Sequence, residues 1–386
     1  MPILNRIAAL GPEMAEWRRY LHRIPEIGFD LDRTAAYVAA RLAEIGVDSL
    51  HTGIARSGIV AIIEGQAPGP TIGLRADMDA LPIHEETGAS HASTTPGAMH
   101  ACGHDGHTAM LLGAAKYLAE TRAFRGRVAL IFQPAEEEGS GARVMIEDGI
   151  LERFGIERIF ALHNAPGMEF GTVMTAPGPI MAAVDTFEIH VTGRGGHAAM
   201  PDETADPIPA LSAMASAIQC IVSRNHHALD ALVVSVTQIH AGTAFNVVPG
   251  TGWLGGTVRS FDPAVQGMVR RRLAEIAVGQ AAAFGLTARL DYHVGDPATV
   301  NDAAEAAFAT EVAREVLGET AVDGAADRQM GAEDFGHFLE ARPGAYLFLG
   351  QGPGAGLHHP AYDFNDEVAP IGASLLARLV ERAQPL

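Results

Sequence analysis

The sequence predicts an α/β protein: a discontinuous domain with helices on both faces of its sheet, interrupted by a smaller ferredoxin-like α+β domain. Three observations carry this. Short apolar runs such as Val128-Ala-Leu-Ile-Phe132 and Arg158-Ile-Phe-Ala-Leu162 read as strands buried on both faces. Amphipathic helical patterns alternate with them, as in α/β sheets. From residue 183 the rhythm changes to β-α-β-β-α-β, the split pattern of ferredoxin-like domains, and after Pro297 the first rhythm returns. The expected boundaries are 1–182 and 296–386 for the large domain and 183–295 for the insert.

Taken in order, 13–23 and 32–46 read as helices. Ala35, Val38, Leu42 and Ile45 form one apolar face of the second, and Gly46 is its stop. Strands follow at 58–64 and 71–75, separated by turn-rich Gly65–Pro70. A helix spans 107–122, with Ala109, Leu112, Ala115 and Leu118 in its stripe, then come the strand 128–132, a helix at 141–149 and the strand 158–162. In the insert, strands fall at 184–192, 231–239, 252–260 and 287–294, and helices at 207–224 and 263–284. The large domain resumes with a helix at 303–317, the strand 345–349 and a last helix at 368–383.

Composition excludes several functions. The 386-residue chain has 27 basic and 46 acidic residues, a net charge of −19, and no basic run, so nucleic acid and anionic membranes are poor partners. Its single lysine, Lys116, follows no Gly-rich loop, so no phosphate-binding loop is present. With only Cys102 and Cys220 there is neither a disulfide framework nor a Cys-rich zinc module. Charged residues interrupt the apolar residues near the N-terminus, and no apolar stretch reaches the roughly 20 residues of a membrane helix. The expectation is a soluble cytoplasmic protein. The 17 histidines are the unusual count.

Their positions matter more than their number. Met99-His-Ala-Cys-Gly-His-Asp-Gly-His107 places three His, a Cys and an Asp just before or at a helix start. Thiolate and imidazole together suit zinc or a similar borderline metal. Gln133-Pro-Ala-Glu-Glu-Glu-Gly139 follows a buried strand, where open α/β sheets place their sites, and adjacent carboxylates call for a cation. His163 follows the next strand, and Leu357-His-His-Pro360 lies in a late Gly-rich loop. Cys, three His and a carboxylate exceed one tetrahedral zinc, which implies two metal ions.

At this point the chain resembles the M20 metallopeptidase family, in the amidohydrolase branch that includes hippurate hydrolases and aminoacylases. The motifs are Leu21-His-Arg-Ile-Pro-Glu-Ile-Gly-Phe29, Arg75-Ala-Asp-Met-Asp-Ala-Leu-Pro82, His100–His107, Gln133–Glu137, Gly193-Arg-Gly-Gly-His-Ala198, Phe245-Asn-Val-Val-Pro249, Gly331-Ala-Glu-Asp-Phe335 and Leu357–Pro360. The resemblance implies a catalytic domain with an inserted lid or dimerisation domain. It implies Cys102, His104, Glu137, His163 and His358 as ligands of two divalent ions (Zn, Mn, Co or Ni), and Glu136 as general base. Asp77 and Asp79 fall near the site, and Asp79 resembles a carboxylate that orients a ligand imidazole. Glu138 and His359 depart from the family pattern and compete with their neighbours for the ligand roles.

The reaction expected is hydrolysis of N-acyl amino acids, hippurate-like, into a carboxylic acid and a free amino acid. Two metals would polarise the amide carbonyl and acidify a bridging water, with Glu136 moving the proton. His197, in a Gly-rich loop of the insert, would stabilise the oxyanion. In this family the equivalent histidine can reach a partner subunit's site, which implies a homo-oligomer. Asn246 and Arg259 are candidate substrate-binding residues, since a guanidinium suits a carboxylate. Alternatives within reach of the same residues are a dipeptidase-like activity, or a hydrolase using Cys102 as nucleophile. Gly193–Ala198 also fits a dinucleotide fingerprint, but Met200-Pro-Asp202 breaks the helix it requires.

Overall fold

The computed structural model describes residues 4–386. It divides into two compact units. The first comprises the chain up to Ile180 with Thr299–Asp327 and Asp334–Leu386, and the second comprises Met181–Ala298 with Arg328–Glu333. The short segment 328–333 joins the second unit because Ala182 N–H donates to both Gln329 O and Gly331 O.

The first unit is built on an eight-stranded mixed sheet. Its order is Ser49–Ile54, Gly58–Glu64, Arg125–Gln133, Ala67–Asp77, Ile156–Pro166, Gly344–Gly352, Val173–Met174 and Val322–Asp323. The four strands from Arg125–Gln133 to Gly344–Gly352 run parallel, so Asp77, Gln133, Pro166 and Gly352 end at one edge. Every residue of Gly344–Gly352 is buried, as expected for a strand covered on both faces. The helix His104–Thr121 packs against Gly11–Arg23, Asp32–Ile45 and Ala369–Ala383. Met14, Trp17, Leu111, Leu112, Leu376 and Leu379 share their core.

The second unit is a four-stranded antiparallel sheet ordered Leu232–Ala241, Thr251–Ser260, Ala183–Thr192, Thr287–Val294. With the helices Pro207–Cys220 and Pro263–Ala283 this is the expected β-α-β-β-α-β order. Burial alternates along Ala183–Thr192, and Phe187, Ile189 and Val191 face a core shared with both helices. Each helix opens on an Asp cap followed by Pro: Asp206 accepts from Ile208 N–H and Asp262 from Ala264 N–H.

Several bounds differ from the sequence reading. The helix expected at 107 begins at His104, because Gly103 at φ +90° turns the chain directly into it. The strand expected to stop before His163 continues to Pro166, since Gly344–Gly352 pairs with it along that length. The helix expected to reach 224 is α-helical to Cys220 and continues as a π-turn over Ile221–Asn225. The edge strand Ser49–Ile54 is an added element, short and half exposed, and its pattern is masked by Gly53 and His51. Among the described residues no helix is long and apolar enough to cross a membrane.

Candidate metal centre

The parallel strand ends position the site, as in other open α/β sheets. Glu136 and Glu137 follow Arg125–Gln133, His163 lies near the end of Ile156–Pro166, and His358 lies beyond Gly352. Cys102 and His104 flank Gly103 at the start of the helix His104–Thr121. Two of these residues lie on or beside strained backbone: Ala135, two residues before Glu137, has φ +53°, and His358 itself has φ +62°. Non-glycine residues hold such angles only when their surroundings fix them, and they cluster at functional sites.

The side chains converge as two triads sharing one thiol. Cys102, His104 and His163 each offer an atom within 4.8 Å of the others, and so do Cys102, Glu137 and His358. Cys102 Sγ is 3.5 Å from His163 Nε2, and His358 Nε2 is 3.2 Å from Glu137 Oε1. His104 Nε2 lies 3.9 Å from carboxylate oxygens of both Glu136 and Glu137. His104 Nε2 is buried without a hydrogen-bond partner, which fits an atom reserved for a cation. One sulfur, three imidazole nitrogens and a carboxylate are the donor chemistry of zinc and its borderline neighbours.

Electrostatics point the same way. Burial disfavours a charged His104 ring, yet Asp77, Asp79 and Glu137 outweigh it and pull its pKa up to about 10. Burial and the carboxylates of Glu137, Glu136 and Asp77 push the Cys102 thiol well above its ordinary value. Burial, with His107 and His104 nearby, keeps the His163 ring neutral. The cluster therefore calls for positive charge, which a bound cation supplies while displacing the protons.

The next layer of residues fixes the donors. His104 Nδ1 donates to the backbone oxygen of Asp79 at 2.9 Å, and Asp79 Oδ1 lies farther off at 3.4 Å. The main-chain oxygen, more than the expected carboxylate, thus orients this ring, while Asp79 Oδ2 accepts from Glu137 N–H. Asp77 is one member of a group with His104 and His107, but its oxygens are engaged by Arg75 Nη1 and His107 Nδ1, each at 2.6 Å. Arg75 also bonds Gln133 and Asp334, and His107 Nε2 meets Asn164 Oδ1 at 2.6 Å. The sequence reading gave no role to Arg75, His107, Gln133, Asn164 or Asp334. An Arg and two Asp in or beside a continuously buried strand were the available signal, since buried charges need partners.

The two competing residues stand apart. Glu138 is exposed and belongs to none of these groups. His359 turns back on its own loop, its Nδ1 accepting from Ala361 N–H.

The remaining predicted residues lie in the second unit. Gly196–His197 pairs with Val247–Val248 in a two-stranded ribbon, and Ala198 N–H donates to Asn246 O, so His197 and Asn246 are neighbours. Ala199 N–H donates to His197 Nδ1, which leaves the proton of the neutral ring on Nε2. Arg259 is half-buried near the end of Thr251–Ser260 and donates to Thr257 Oγ1 and Val258 O. The strand separates Arg259 from the ribbon end: eight steps from Thr251 span roughly 26 Å at about 3.3 Å per residue.

The comparisons agree with this geometry. The sequence profile of peptidase family M20/M25/M40 matches residues 73–382. N-acetyl-L-cysteine deacetylase of Bacillus subtilis is 41% identical, over 95% of this chain and 87% of that protein. Hippurate hydrolase of Campylobacter jejuni is 39% identical, over 98% of both. The crystal structure of the Bacillus subtilis YXEP protein, described as a dinuclear metal binding peptidase from the M20 family, superposes with a TM-score of 0.86 at 34% identity, covering 98% of this chain and 99% of that one. The chain belongs to peptidase family M20 and is a metal-dependent amidohydrolase.

Proposed function

We propose that the protein hydrolyses the amide bond of N-acyl amino acids, releasing a carboxylic acid and a free amino acid. The convergence of Cys102, His104, His163, Glu137 and His358 beside Glu136 carries this reading. Two divalent cations held by these residues, zinc or its borderline neighbours Mn, Co or Ni, would polarise the scissile carbonyl and acidify the attacking water. Glu136, adjacent to the ligand Glu137, takes a proton from water and returns it to the departing amine. His197, with its proton on Nε2, donates to the oxyanion, and Arg259 pairs with the substrate carboxylate. The names of two relatives, a hippurate hydrolase and an N-acetylcysteine deacetylase, support the substrate class. Cys102 as nucleophile is disfavoured, because burial and three carboxylates hold it as a neutral thiol. A ligand that must stay reduced suits the cytoplasm.

Within one chain the ribbon that carries His197 leaves the Thr251 end of the strand Thr251–Ser260, and Arg259 lies near its other end. This supports a homodimer in which each site takes its metal donors from one copy and His197 with Asn246 from the other. The exposed Ile239, Phe245 and Val247, on or beside the edge strand Leu232–Ala241, supply an apolar surface for a second copy. Mixing inactive Glu136→Gln and His197→Ala chains should restore turnover through hybrid dimers; a mixture as inactive as its parts argues against shared sites. A panel of N-acetyl, N-benzoyl and long-acyl amino acids with dipeptides, assayed with added metal and with chelator, tests the substrate class. Turnover of N-acyl amino acids abolished by chelator supports the proposal; turnover of dipeptides alone overturns it.

A further inference from the structure

Arg18 is among the largest fully buried side chains of the described residues, and nothing in the reaction uses it. It comes from the helix Gly11–Arg23 and reaches the chain segment that follows His358. Its Nη2 donates to Asp363 Oδ1 and to Phe364 O, both at 2.5 Å, and its Nε lies 2.8 Å from Asp366 Oδ1. Asp105, next to His104, is more distant at 3.7 Å and is held instead by His22 Nδ1 at 2.8 Å. Burying a guanidinium costs several kcal/mol, and packed apolar residues often stabilise such a place equally well. The charge therefore calls for a reason in what it holds.

What it holds is the loop of the least buried donor. The His358 side chain is 52% exposed, whereas those of His104 and Glu137 are 1% and 10% exposed. His358 also has left-handed backbone, which its surroundings must hold in place, while its half-exposed ring is packed by little. Its loop is fastened by His358 N–H to Ala101 O, Glu86 N–H to Pro360 O and His91 to Asp363. Phe364 closes against Gly106, where even a Cβ would fall 2.3 Å from the ring. Arg18 is the one buried cation in this set, and it grips both the side chains and the main chain of the segment.

We infer that Arg18 is a positioning residue for His358, pinning Asp363–Asp366 so that the loop presents His358 to Glu137 and Cys102. This rests on the reading of His358 as a metal donor. Supporting residues around metal ligands typically contribute 10–100-fold in affinity. The effect should be confined to one of the two cation positions, because His104 is held by Asp79 O and His163 by Asn164 O, away from the Arg18 segment.

Calorimetric titration of metal-free protein with zinc tests this, comparing the parent chain with Arg18→Gln, Asp363→Ala and His358→Ala. The parent should bind two ions. Arg18→Gln and Asp363→Ala should weaken one of them about 10–100-fold and leave the other within about twofold, and His358→Ala should remove the same one. Asp363 is partly exposed, so Asp363→Ala decides the matter if Arg18→Gln fails to fold, provided that His91→Ala, which removes the other partner of Asp363, leaves both ions within about twofold. Two ions bound with parental affinity in Asp363→Ala, or both weakened equally, would overturn the inference. Full two-site binding by His358→Ala would overturn the donor assignment on which it rests.

Discussion

Replacing Gly103 with alanine should destabilise the first unit by about 3–5 kcal/mol, from two additive causes. Gly103 has φ +90°, a left-handed conformation that costs a residue with a Cβ about 1–2 kcal/mol. The new Cβ would also fall 2.3 Å from Asn164 Oδ1 and 2.6 Å from the Tyr362 hydroxyl, so Asn164 has to move. Asn164 Oδ1 meets His107 Nε2, and its Nδ2 donates to Tyr362 and Gln351. Losing two of these buried bonds adds about 2–3 kcal/mol. Trp17 lies in the first unit and Trp253 in the second, so urea unfolding of a Trp253→Phe background reports the first unit through Trp17 fluorescence. A loss below about 1 kcal/mol would refute the reasoning, since the left-handed backbone alone demands that much.

Three further outcomes follow from the same contacts. His22 is buried, which favours the neutral ring, but Asp105 and Glu85 outweigh this and raise its pKa to about 9 from 6.5. A raised folded-state pKa stabilises fully below 6.5 and is lost as pH rises through 9, so the stability difference between metal-free parent and His22→Gln should shrink by roughly 3 kcal/mol across that window; a flat difference would contradict the pairing. Cys102→Ala removes the donor common to both triads, and elemental analysis should find far less than two metal ions per chain; parental content removes Cys102 from the set. Arg75→Met leaves Asp77 and Asp334 without their buried cation and should cost about 3–5 kcal/mol in urea unfolding, against near-neutrality if the pair were dispensable.

The large architecture was legible because the continuous apolar strands and the β-α-β-β-α-β insert leave strong periodic traces. What was hidden had weak local signals. His104 and Asp105 look like loop between Gly103 and Gly106, yet they open a helix because glycine's left-handed backbone makes an abrupt turn possible. The ribbon joining His197 to Asn246 pairs two-residue segments some fifty positions apart, which no local pattern encodes. Cys102, His104, Glu136 and Glu137 stand in dense runs of Cys, His and Glu, whereas His163 and His358 were proposed as donors through the family resemblance. The residues that hold them were not legible: Arg18 and Asp363 meet across the length of the chain, and Asn164 reaches His107 only through tertiary packing.

The central claim is that Glu136 moves the proton in a hydrolysis supported by metal held on its neighbours. Glu136→Gln keeps the shape of the side chain and removes the base. Loaded with metal and assayed on the best N-acyl amino acid of the panel, it should retain two ions per chain while kcat falls by about 10²–10⁴-fold. Parental kcat with metal in place would contradict the account.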